Sequence, residues 1–406
     1  MSGQPELRSW LSYWLPAKGR QNLKIIVDCF GVRDGGGSRL VEILVTFLGI
    51  CRPSWQWVWC VEPEVKLQLM RAGVPDNVLF VVNMDGSGWL TRYRWLNQKL
   101  PRLAVRLGAD MLFCFANLPP IVPVVPTVLL IQQMKALEAP SKAGFRNGLR
   151  LRLLNHYIRR AAPAAQKIVV QSQEMRLLLG AQIPSVSSRI EVIPSPVLVE
   201  NVGESRPDTV HVFSRLGRPC IAYISLPRPH KNHINLIRAL ALVHKTNPEV
   251  TLALTATGPD KGTCDPVIRS LHQEIKASGV DHAVAWLGVL NASEVADLYR
   301  SADILIFPSL KESFGLPLAE AMSIGRPVLA SDLAFAHEIL GDAGVYFTPD
   351  QPADIAKAIL SFLLDAQLRS VLRKNAEARR HLFSPPQISQ RLCALFESVV
   401  GGEGFL

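Results

Sequence analysis

Residues 303–332, DILIFPSLKESFGLPLAEAMSIGRPVLASD, predict a strand, a loop, a helix and a second strand in direct succession. Residues 303–308 form an apolar run that is rich in β-formers and closed by a proline, which is typical of a buried strand. Pro317 favours the start of a helix, and residues 328–331 begin the next strand. A strand–helix–strand unit of this kind predicts a parallel α/β sheet.

This unit contains two glutamates, Glu312 in the loop and Glu320 in the helix. The loop lies where a parallel sheet binds ligands, and the amides at a helix start lack intrahelical partners, so they favour oxygen-rich ligands. A carboxylate such as Glu320 can accept two hydrogen bonds from a vicinal diol. The alternative is structural: Glu320 interacts with the helix dipole, and Glu312 is a solvated loop residue.

The segment ESFGLPLAEAMSIGRPVLASD resembles the donor-sugar signature of the large retaining glycosyltransferase family four, whose architecture is GT-B. The resemblance rests on two glutamates separated by seven residues around FGLP, and it continues to Glu338 in AFAHEILGDAGVYFTP. Ser313 stands where the family usually has glycine. The resemblance implies that Glu320 binds the ribose hydroxyls and Glu312 the sugar hydroxyls, helped by the amides of Ser313, Phe314, Gly315 and Leu316.

Composition and length predict a two-domain protein without a membrane span. A chain of 406 residues is comfortable for two domains of about 200 residues each. The seven cysteines are scattered without a C-x-x-C pair, which favours a reducing compartment and argues against a zinc site. The apolar run of residues 119–131 is short and rich in proline, and the sequence shows no signal peptide.

The net charge of +10 is concentrated in the first half of the chain. Residues 1–200 hold 24 Lys and Arg against 13 Asp and Glu, whereas residues 201–406 hold 20 against 21. This imbalance predicts an anionic partner for the first half only. Residues 1–20 show the periodicity of a short amphipathic helix, either a capping helix on the body of the protein or a membrane-surface helix.

A glycine-rich stretch, GVRDGGGSR, follows the first predicted strand and precedes a helical pattern. Strand, glycine-rich turn and helix form a layout that cradles phosphate, although such a triplet is also common in a simple tight turn. The family resemblance implies that the loop of Gly35, Gly36 and Gly37 faces the donor diphosphate and the acceptor.

The resemblance also assigns residues elsewhere in the chain. Gln132 occupies the place of the family's usual histidine near the reacting centre, and Gln133 occupies that of an aspartate. Lys231 precedes a helix in LPRPHKN and is placed to meet a diphosphate as a point charge, with Arg228 as the candidate second cation. A lysine at such a place is otherwise commonly solvated. Gly288 and Val289 lie at a strand-end turn where the family's backbone meets the nucleotide base.

The resemblance thus implies a GT-B fold, in which two Rossmann-like domains face each other across a cleft and the C-terminal helix crosses back to the first. The expected parts are an amphipathic segment (1–20), an acceptor domain (21–200), a linker (201–218), a nucleotide-sugar-binding domain (219–384) and a returning helix (385–406). We expect UDP- or GDP-sugar as co-substrate, no other cofactor and no metal, since the sequence has no D-x-D pair.

The expected activity is retaining transfer of a hexose of the mannose or glucose type to a glycan or polyprenyl-linked acceptor. The expected location is cytoplasmic, peripheral on the inner face of the cytoplasmic membrane. A soluble sugar-metabolite synthase or a phosphorylase on the same fold is the first alternative, although no segment resembles a pyridoxal phosphate site. The basic first half also suggests a nucleic-acid-binding protein as a second alternative. This half contains neither an aromatic RNA-binding motif nor a helix-turn-helix, so no specific nucleic acid is expected.

Overall fold

The computed structural model describes residues 22–32, 35–82, 86, 88–115, 117–133, 145–199, 217, 219–258 and 265–402, without the side chains of 35 and 145–150. The predicted amphipathic segment 1–20 and nearly all of the predicted linker 201–218 lie outside these residues.

Within the described residues, the first sheet has seven parallel strands in the order β3-β2-β1-β4-β5-β6-β7. Most of these strands are short, buried, apolar runs, as expected when helices cover both faces of a parallel sheet. The strands are β1 (Lys24–Asp28), β2 (Gln56–Val61), β3 (Val78–Val82), β4 (Met111–Cys114), β5 (Thr127–Ile131), β6 (Lys167–Val170) and β7 (Ile190–Val192).

Helices cover both faces of this sheet and form two hydrophobic clusters with it. They are α1 (Gly35–Cys51), α2 (Pro63–Ala72), α3 (Trp89–Arg94), a π-helical turn (Trp95–Lys99), α4 (Leu100–Leu107), α5 (Phe145–Ala161) and α6 (Gln173–Gln182). Short 3₁₀ helices lie at Ala162–Ala164 and Pro184–Arg189.

The second sheet, counted over the described residues, has six parallel strands in the order β10-β9-β8-β11-β12-β13. The strands are β8 (Cys220–Tyr223), β9 (Thr251–Leu254), β10 (Val284–Trp286), β11 (Ile304–Phe307), β12 (Val328–Ser331) and β13 (Gly344–Phe347). The helices are α7 (His233–Val243), α8 (Pro266–Ala277), α9 (Ala292–Ser301), α10 (Leu316–Ser323), α11 (Ala334–Leu340), α12 (Pro352–Leu364), α13 (Ala366–Arg379) and α14 (Pro385–Gly401). Short 3₁₀ helices lie at Pro229–Lys231, Asp281–Ala283, Gly341–Ala343 and Arg380–Phe383.

The strand order of each sheet identifies its ligand crevice. In the first sheet the order reverses between β1 and β4, and in the second between β8 and β11. Ligands of open parallel sheets bind outside the carboxyl ends of the strands at such switch points. The segments that follow β1, β8 and β11 therefore lie at the two switch points.

The C-terminal helix α14 returns to the first domain, as the sequence predicts. Its Phe396 is buried against Trp57 and Phe113 of the first sheet, with ring centroids 6.3 and 5.0 Å apart. Arg52 at the end of α1 forms an ion pair with Glu397 at 2.9 Å. Two parallel α/β sheets and a returning helix confirm the predicted fold class. The exact domain boundaries stay a prediction.

One local expectation is wrong. Gly35, Gly36 and Gly37 form the first turn of α1 instead of a loop before it. The N–H groups of a first turn have no intrahelical acceptor in any case, so the low helix propensity of glycine destabilises a helix least at this position. The helices α12 and α13 are separated at Asp365, which adopts an extended conformation and caps α13 by accepting from the amide of Leu368.

Candidate functional site

The loop after β11 delivers Glu312 to the crevice and ends in α10. Gly315 adopts the left-handed conformation at φ 88° immediately before the helix, a backbone geometry that disfavours other residues. The ring of Phe314 is buried, 6.2 Å from the ring of Phe383, and anchors the loop in the core. The predicted amides of Ser313 to Leu316 therefore lie at the start of a helix, where first-turn amides lack intrahelical acceptors.

Lys231 and Glu312 meet across the β8–β11 switch point. The Lys231 Nζ lies 2.5 Å from the Glu312 Oε1, and both side chains are mostly buried, with 18% and 14% exposed. Lys231 Nζ also lies 5.2 Å from the ring centroid of Phe307, the last residue of β11. Two residues that the resemblance assigns to neighbouring parts of one donor are thus in direct contact.

Buried hydrogen bonds hold the backbone around Lys231 in place. Tyr223, at the end of β8, donates its hydroxyl to the Lys231 carbonyl at 2.7 Å. The next residue, Asn232, has a left-handed backbone (φ 59°) and donates its side-chain amide to the Pro308 carbonyl at 3.0 Å. The Leu310 amide donates to the His230 carbonyl at 2.8 Å. These bonds tie the Lys231 segment to the loop that carries Glu312.

Glu320 lies in α10 with its carboxylate oriented by a neighbouring helix. The Tyr299 hydroxyl of α9 donates to Glu320 Oε2 at 2.7 Å and to the Pro317 carbonyl at 3.2 Å. Burial raises the pKa of Glu320, while the hydrogen bond from Tyr299 and the positive charge of Arg39 act in the opposite direction. The carboxylate is therefore held in one orientation, with an acceptor atom left for a ligand.

The start of α1 faces the start of α10 across the cleft. A Cβ atom built on Gly36 would lie 2.7 Å from Leu316 Cδ1, so the two helix ends nearly touch. Arg39, one turn further along α1, forms an ion pair with Glu42 at 2.8 Å and donates to the Leu198 carbonyl at 3.4 Å. The positive ends of both helix dipoles therefore lie on the same part of the cleft, between Gly36 and Leu316.

Gln132 follows β5 at the cleft edge of the first sheet. Its backbone amide donates to the Asn117 side-chain oxygen at 2.6 Å, and the amide of Gln133 donates to the same atom at 3.2 Å. The Gln132 side-chain nitrogen is buried and has no hydrogen-bond partner among the described residues. A buried donor without a partner is costly in a folded protein, so it marks a place for an oxygen-bearing ligand.

A family model described as glycosyl transferases group 1 matches residues 211–379, the region that contains Lys231, Glu312 and Glu320. This match covers the second domain and supports a similarity to the group 1 glycosyltransferases. The predicted GT-B architecture is also that of solved glycosyltransferase structures.

Similar glycosyltransferases act on several acceptors. The phosphatidyl-myo-inositol mannosyltransferase of Mycolicibacterium smegmatis is 27% identical over 277 residues, which cover 66% of this chain and 67% of that protein. The O-antigen chain mannosyltransferase B of Escherichia coli is 31% identical over 163 residues, which cover 40% and 41% of the two chains. The match thus spans about two fifths of the second relative's length.

The solved structure of Anabaena Alr3699/HepE in complex with UDP and glucose shares the fold. Its TM-score is 0.67 over 93% of this chain and 100% of that chain, at 21% sequence identity. At this identity the similarity shows the fold alone.

Other predicted site residues lie apart from the Lys231–Glu312 pair. The Arg228 side chain is 58% exposed and forms an ion pair with Asp265 at 3.7 Å. Gly288 has a left-handed backbone (φ 70°) and donates its amide to the Ala256 carbonyl at 3.1 Å, while Val289 beside it is 70% exposed. These two residues form a strand-end turn after β10, as predicted.

Over the described ranges, no group of three or more His, Cys, Asp and Glu side chains could hold a metal ion. The predicted independence from metal stays a prediction.

Sequence reasoning missed three side chains that shape this site: Tyr299, Arg39 and Asn117. Tyr299 lies on the buried face of an amphipathic helix, where only the choice of tyrosine over leucine hints at a buried hydrogen-bond partner. Arg39 directly follows the glycine stretch and Ser38, and its position next to the predicted phosphate cradle was the signal in the sequence. Asn117 adopts a left-handed backbone at φ 64°. Asparagine tolerates this conformation better than most residues, and that tolerance was the signal in the sequence.

Proposed function

We propose that the chain transfers a hexose of the mannose or glucose type from a nucleoside diphosphate sugar to a glycan or lipid-linked acceptor, with retention of anomeric configuration. The observation that carries this proposal is the Lys231–Glu312 ion pair at the β8–β11 switch point, beside the start of α10. A cation for the diphosphate and a carboxylate for sugar hydroxyls are thereby placed within one hydrogen bond of each other.

Each part of the donor has a matching group in the second domain. Glu320 accepts hydrogen bonds from the two ribose hydroxyls through the carboxylate that Tyr299 orients. Glu312 and the amides at the start of α10 bind the sugar hydroxyls. Gly288 and Val289 form the turn against which the base rests.

The diphosphate lies between two helix starts and a lysine. Lys231 supplies a point charge, and the first turns of α1 and α10 supply backbone amides and dipoles of the same sign. Arg39 adds a further positive charge from the first domain, and Arg228 is the candidate second cation of the β8 loop. These groups stabilise the charge that grows on the leaving diphosphate, so the reaction as proposed needs no metal.

In the transfer step the bond between the anomeric carbon and the diphosphate oxygen breaks. A bond from the same carbon to the acceptor oxygen forms on the same face, and the acceptor proton passes to the leaving diphosphate. Gln132 lies on the first-domain wall of the cleft and offers its buried side-chain nitrogen as a donor to the reacting sugar. Glutamine cannot titrate, so it acts through hydrogen bonding alone.

A panel of nucleoside diphosphates and their sugars in a thermal-shift assay tests the donor. We expect UDP or GDP and one of its hexose conjugates to raise the melting temperature, since a ligand at 100 times its Kd stabilises by about 2.7 kcal/mol. Release of nucleoside diphosphate on adding acceptor then separates a transferase from a phosphorylase, which releases sugar phosphate. No shift with any member of the panel would contradict the proposal.

We further propose that the first domain docks on an anionic membrane, where it meets a lipid-linked acceptor. Within the described part of the chain, no helix is long and apolar enough to span a bilayer. The helices α3 and α5 lie side by side, because the rings of Trp89 and Tyr93 contact that of Tyr157 at 5.5 and 6.1 Å. Trp89 is 40% and Leu90 74% exposed.

The same two helices also carry exposed basic side chains. The exposed basic residues of the two helices are Arg94, Arg152, Arg159 and Arg160. Tryptophan and tyrosine favour the membrane interface, and each basic residue near an anionic leaflet contributes about 1 kcal/mol. A few such residues on one face suffice for reversible docking.

Sedimentation with vesicles tests the docking. We expect binding to vesicles that contain phosphatidylglycerol, but not to pure phosphatidylcholine vesicles, and we expect added salt or deletion of residues 1–20 to weaken it. The Leu90→Ser variant should bind less. Leu364→Ser is its matched control, because Leu364 of the second domain is similarly exposed, at 76% against 74%. A protein that stays in the supernatant with both vesicles, or equal losses in the two variants, would refute the docking.

A further inference from the structure

The start of helix α6 in the first domain contacts the second domain at two points. Ser172, the residue before the helix, accepts from the Met175 amide at 3.2 Å and donates its hydroxyl to the Ser313 carbonyl at 3.1 Å. The Gln173 amide donates to both carboxylate oxygens of Glu338, at 2.8 and 2.9 Å. We call these four contact residues (Ser172, Gln173, Ser313 and Glu338) the α6 junction.

The chemistry of the α6 junction favours a charged partner. The first amides of a helix have no intrahelical acceptor, and a carboxylate there is stabilised by both hydrogen bonds and the helix dipole. Many helices obtain this carboxylate from their own first turn or from the residue before it. Here it comes from 165 residues further along the chain, in the other domain.

Burial raises the pKa of Glu338, whereas hydrogen bonds from the amides of Gln173 and Glu174 lower it. The half-buried side chain is therefore held by a specific set of donors. Its backbone is also fixed, because the Arg379 guanidinium donates to the Glu338 carbonyl at 3.0 Å.

Both contacts of the α6 junction lead directly to the loop between β11 and α10. Ser313 follows Glu312 in that loop, so the Ser172 hydroxyl holds a carbonyl of the loop itself. Glu338 belongs to α11, whose Phe335 packs on the same loop: a Cβ atom built on Gly315 would lie 3.5 Å from the Phe335 ring. The first domain therefore touches the Glu312 loop once directly and once through α11.

We propose that Ser172 and Glu338 are positioning residues that fix the Glu312 loop against the first domain, so that a bound sugar donor is presented to the acceptor. This inference rests on the proposed function for its kinetic consequence. The contacts would be made when the two domains are closed on each other, and their loss would leave the nucleotide-binding groups of the second domain intact.

Three substitutions test the α6 junction. Gln173→Pro removes one amide hydrogen but suits the first position of a helix, and the extended conformation of Ser172 suits a residue before proline. Glu338→Ala removes the acceptor. Ser172→Ala removes the hydroxyl donor, whereas Ser172→Thr keeps a hydroxyl and should restore function. Glu274→Ala is the matched control, since Glu274 pairs with Arg238 inside the second domain.

We expect Gln173→Pro and Glu338→Ala each to lower kcat by about tenfold, as for the loss of a hydrogen bond to a charged group, with the Kd for UDP or GDP unchanged. The double variant should be no worse than Glu338→Ala alone, because the Gln173 amide has no acceptor left to lose once the carboxylate is gone. Equal kcat in the parent and both variants, or losses that multiply in the double variant, would overturn the proposal.

Hydrogen exchange of the intact protein provides a readout that does not depend on turnover. We expect peptides that contain residues 312–316 to exchange faster in Gln173→Pro, Glu338→Ala and Ser172→Ala than in the parent, and at the parental rate in Ser172→Thr and Glu274→Ala. If no nucleotide sugar is turned over, the proposed function fails while the exchange still reports on the α6 junction. Unchanged exchange in an active enzyme would refute the α6 junction alone.

Discussion

Lys231→Ala should lower the rate of sugar transfer by about a hundredfold or more, the usual loss when one preorganised charge-stabilising donor is removed from an active site. The reason is twofold. Lys231 is the cation that lies 2.5 Å from Glu312 at the β8–β11 switch point, and its removal leaves that mostly buried carboxylate without its positive partner. The diphosphate then approaches an uncompensated negative charge.

The measurement is kcat with the preferred nucleotide sugar, together with the Kd values of the nucleoside, its monophosphate and its diphosphate. Affinity should fall for the diphosphate and stay nearly constant for the nucleoside. Lys311→Ala is the matched control, because Lys311 precedes Glu312 in the same loop and is exposed. A uniform loss of affinity for all three ligands would indicate damage to the loop, since Tyr223 and Asn232 fix the backbone there.

Glu320→Gln should keep the fold and weaken the binding of UDP or GDP by about tenfold or more, since hydrogen bonds to a charged acceptor are roughly twice as strong as neutral ones. The amide oxygen of glutamine can still accept from the Tyr299 hydroxyl, so the packing between α9 and α10 should survive. Tyr299→Phe should show a smaller effect in the same direction, because it frees the carboxylate to rotate. Isothermal titration measures both.

A ligand without the diol separates the role of Glu320 from general damage. The parent should bind a 2′,3′-dideoxynucleoside diphosphate more weakly than the ordinary one, whereas Glu320→Gln should hardly distinguish the two. If the variant still prefers the ordinary nucleotide as strongly as the parent does, Glu320 does not bind the ribose. The thermal stability of each variant serves as the control for folding.

The sequence was sufficient for the parts of the site that lie in one continuous stretch. Glu312, Gly315 and Glu320 belong to a strand–loop–helix unit whose spacing follows from local backbone rules. Strand β12 (Val328–Ser331) and the start of α10 agree with the prediction to within two residues.

Other features depend on tertiary packing that no local pattern contains. Tyr299 donates a hydrogen bond to Glu320 from a different helix, and the positive charge of Arg39 acts on it from a different domain. In the sequence Ser172 resembles an ordinary helix cap. The structure shows that its hydroxyl also donates to the Ser313 carbonyl in the other domain. The low helix propensity of glycine predicts a loop at residues 35–37, but this propensity counts little in a first turn, where Gly36 packs against Leu316 of the second domain.

The return of α14 determines when the first domain can finish folding during synthesis. Trp57 and Phe113 of the first sheet are fully buried, in part by Phe396, and the ion pair between Arg52 and Glu397 joins residues 345 positions apart. A ribosome that has just completed the first sheet has not yet made the helix that covers these rings. Their apolar surface stays open to other partners until residues 385–401 have also emerged, an interval in which long chains are most prone to aggregate.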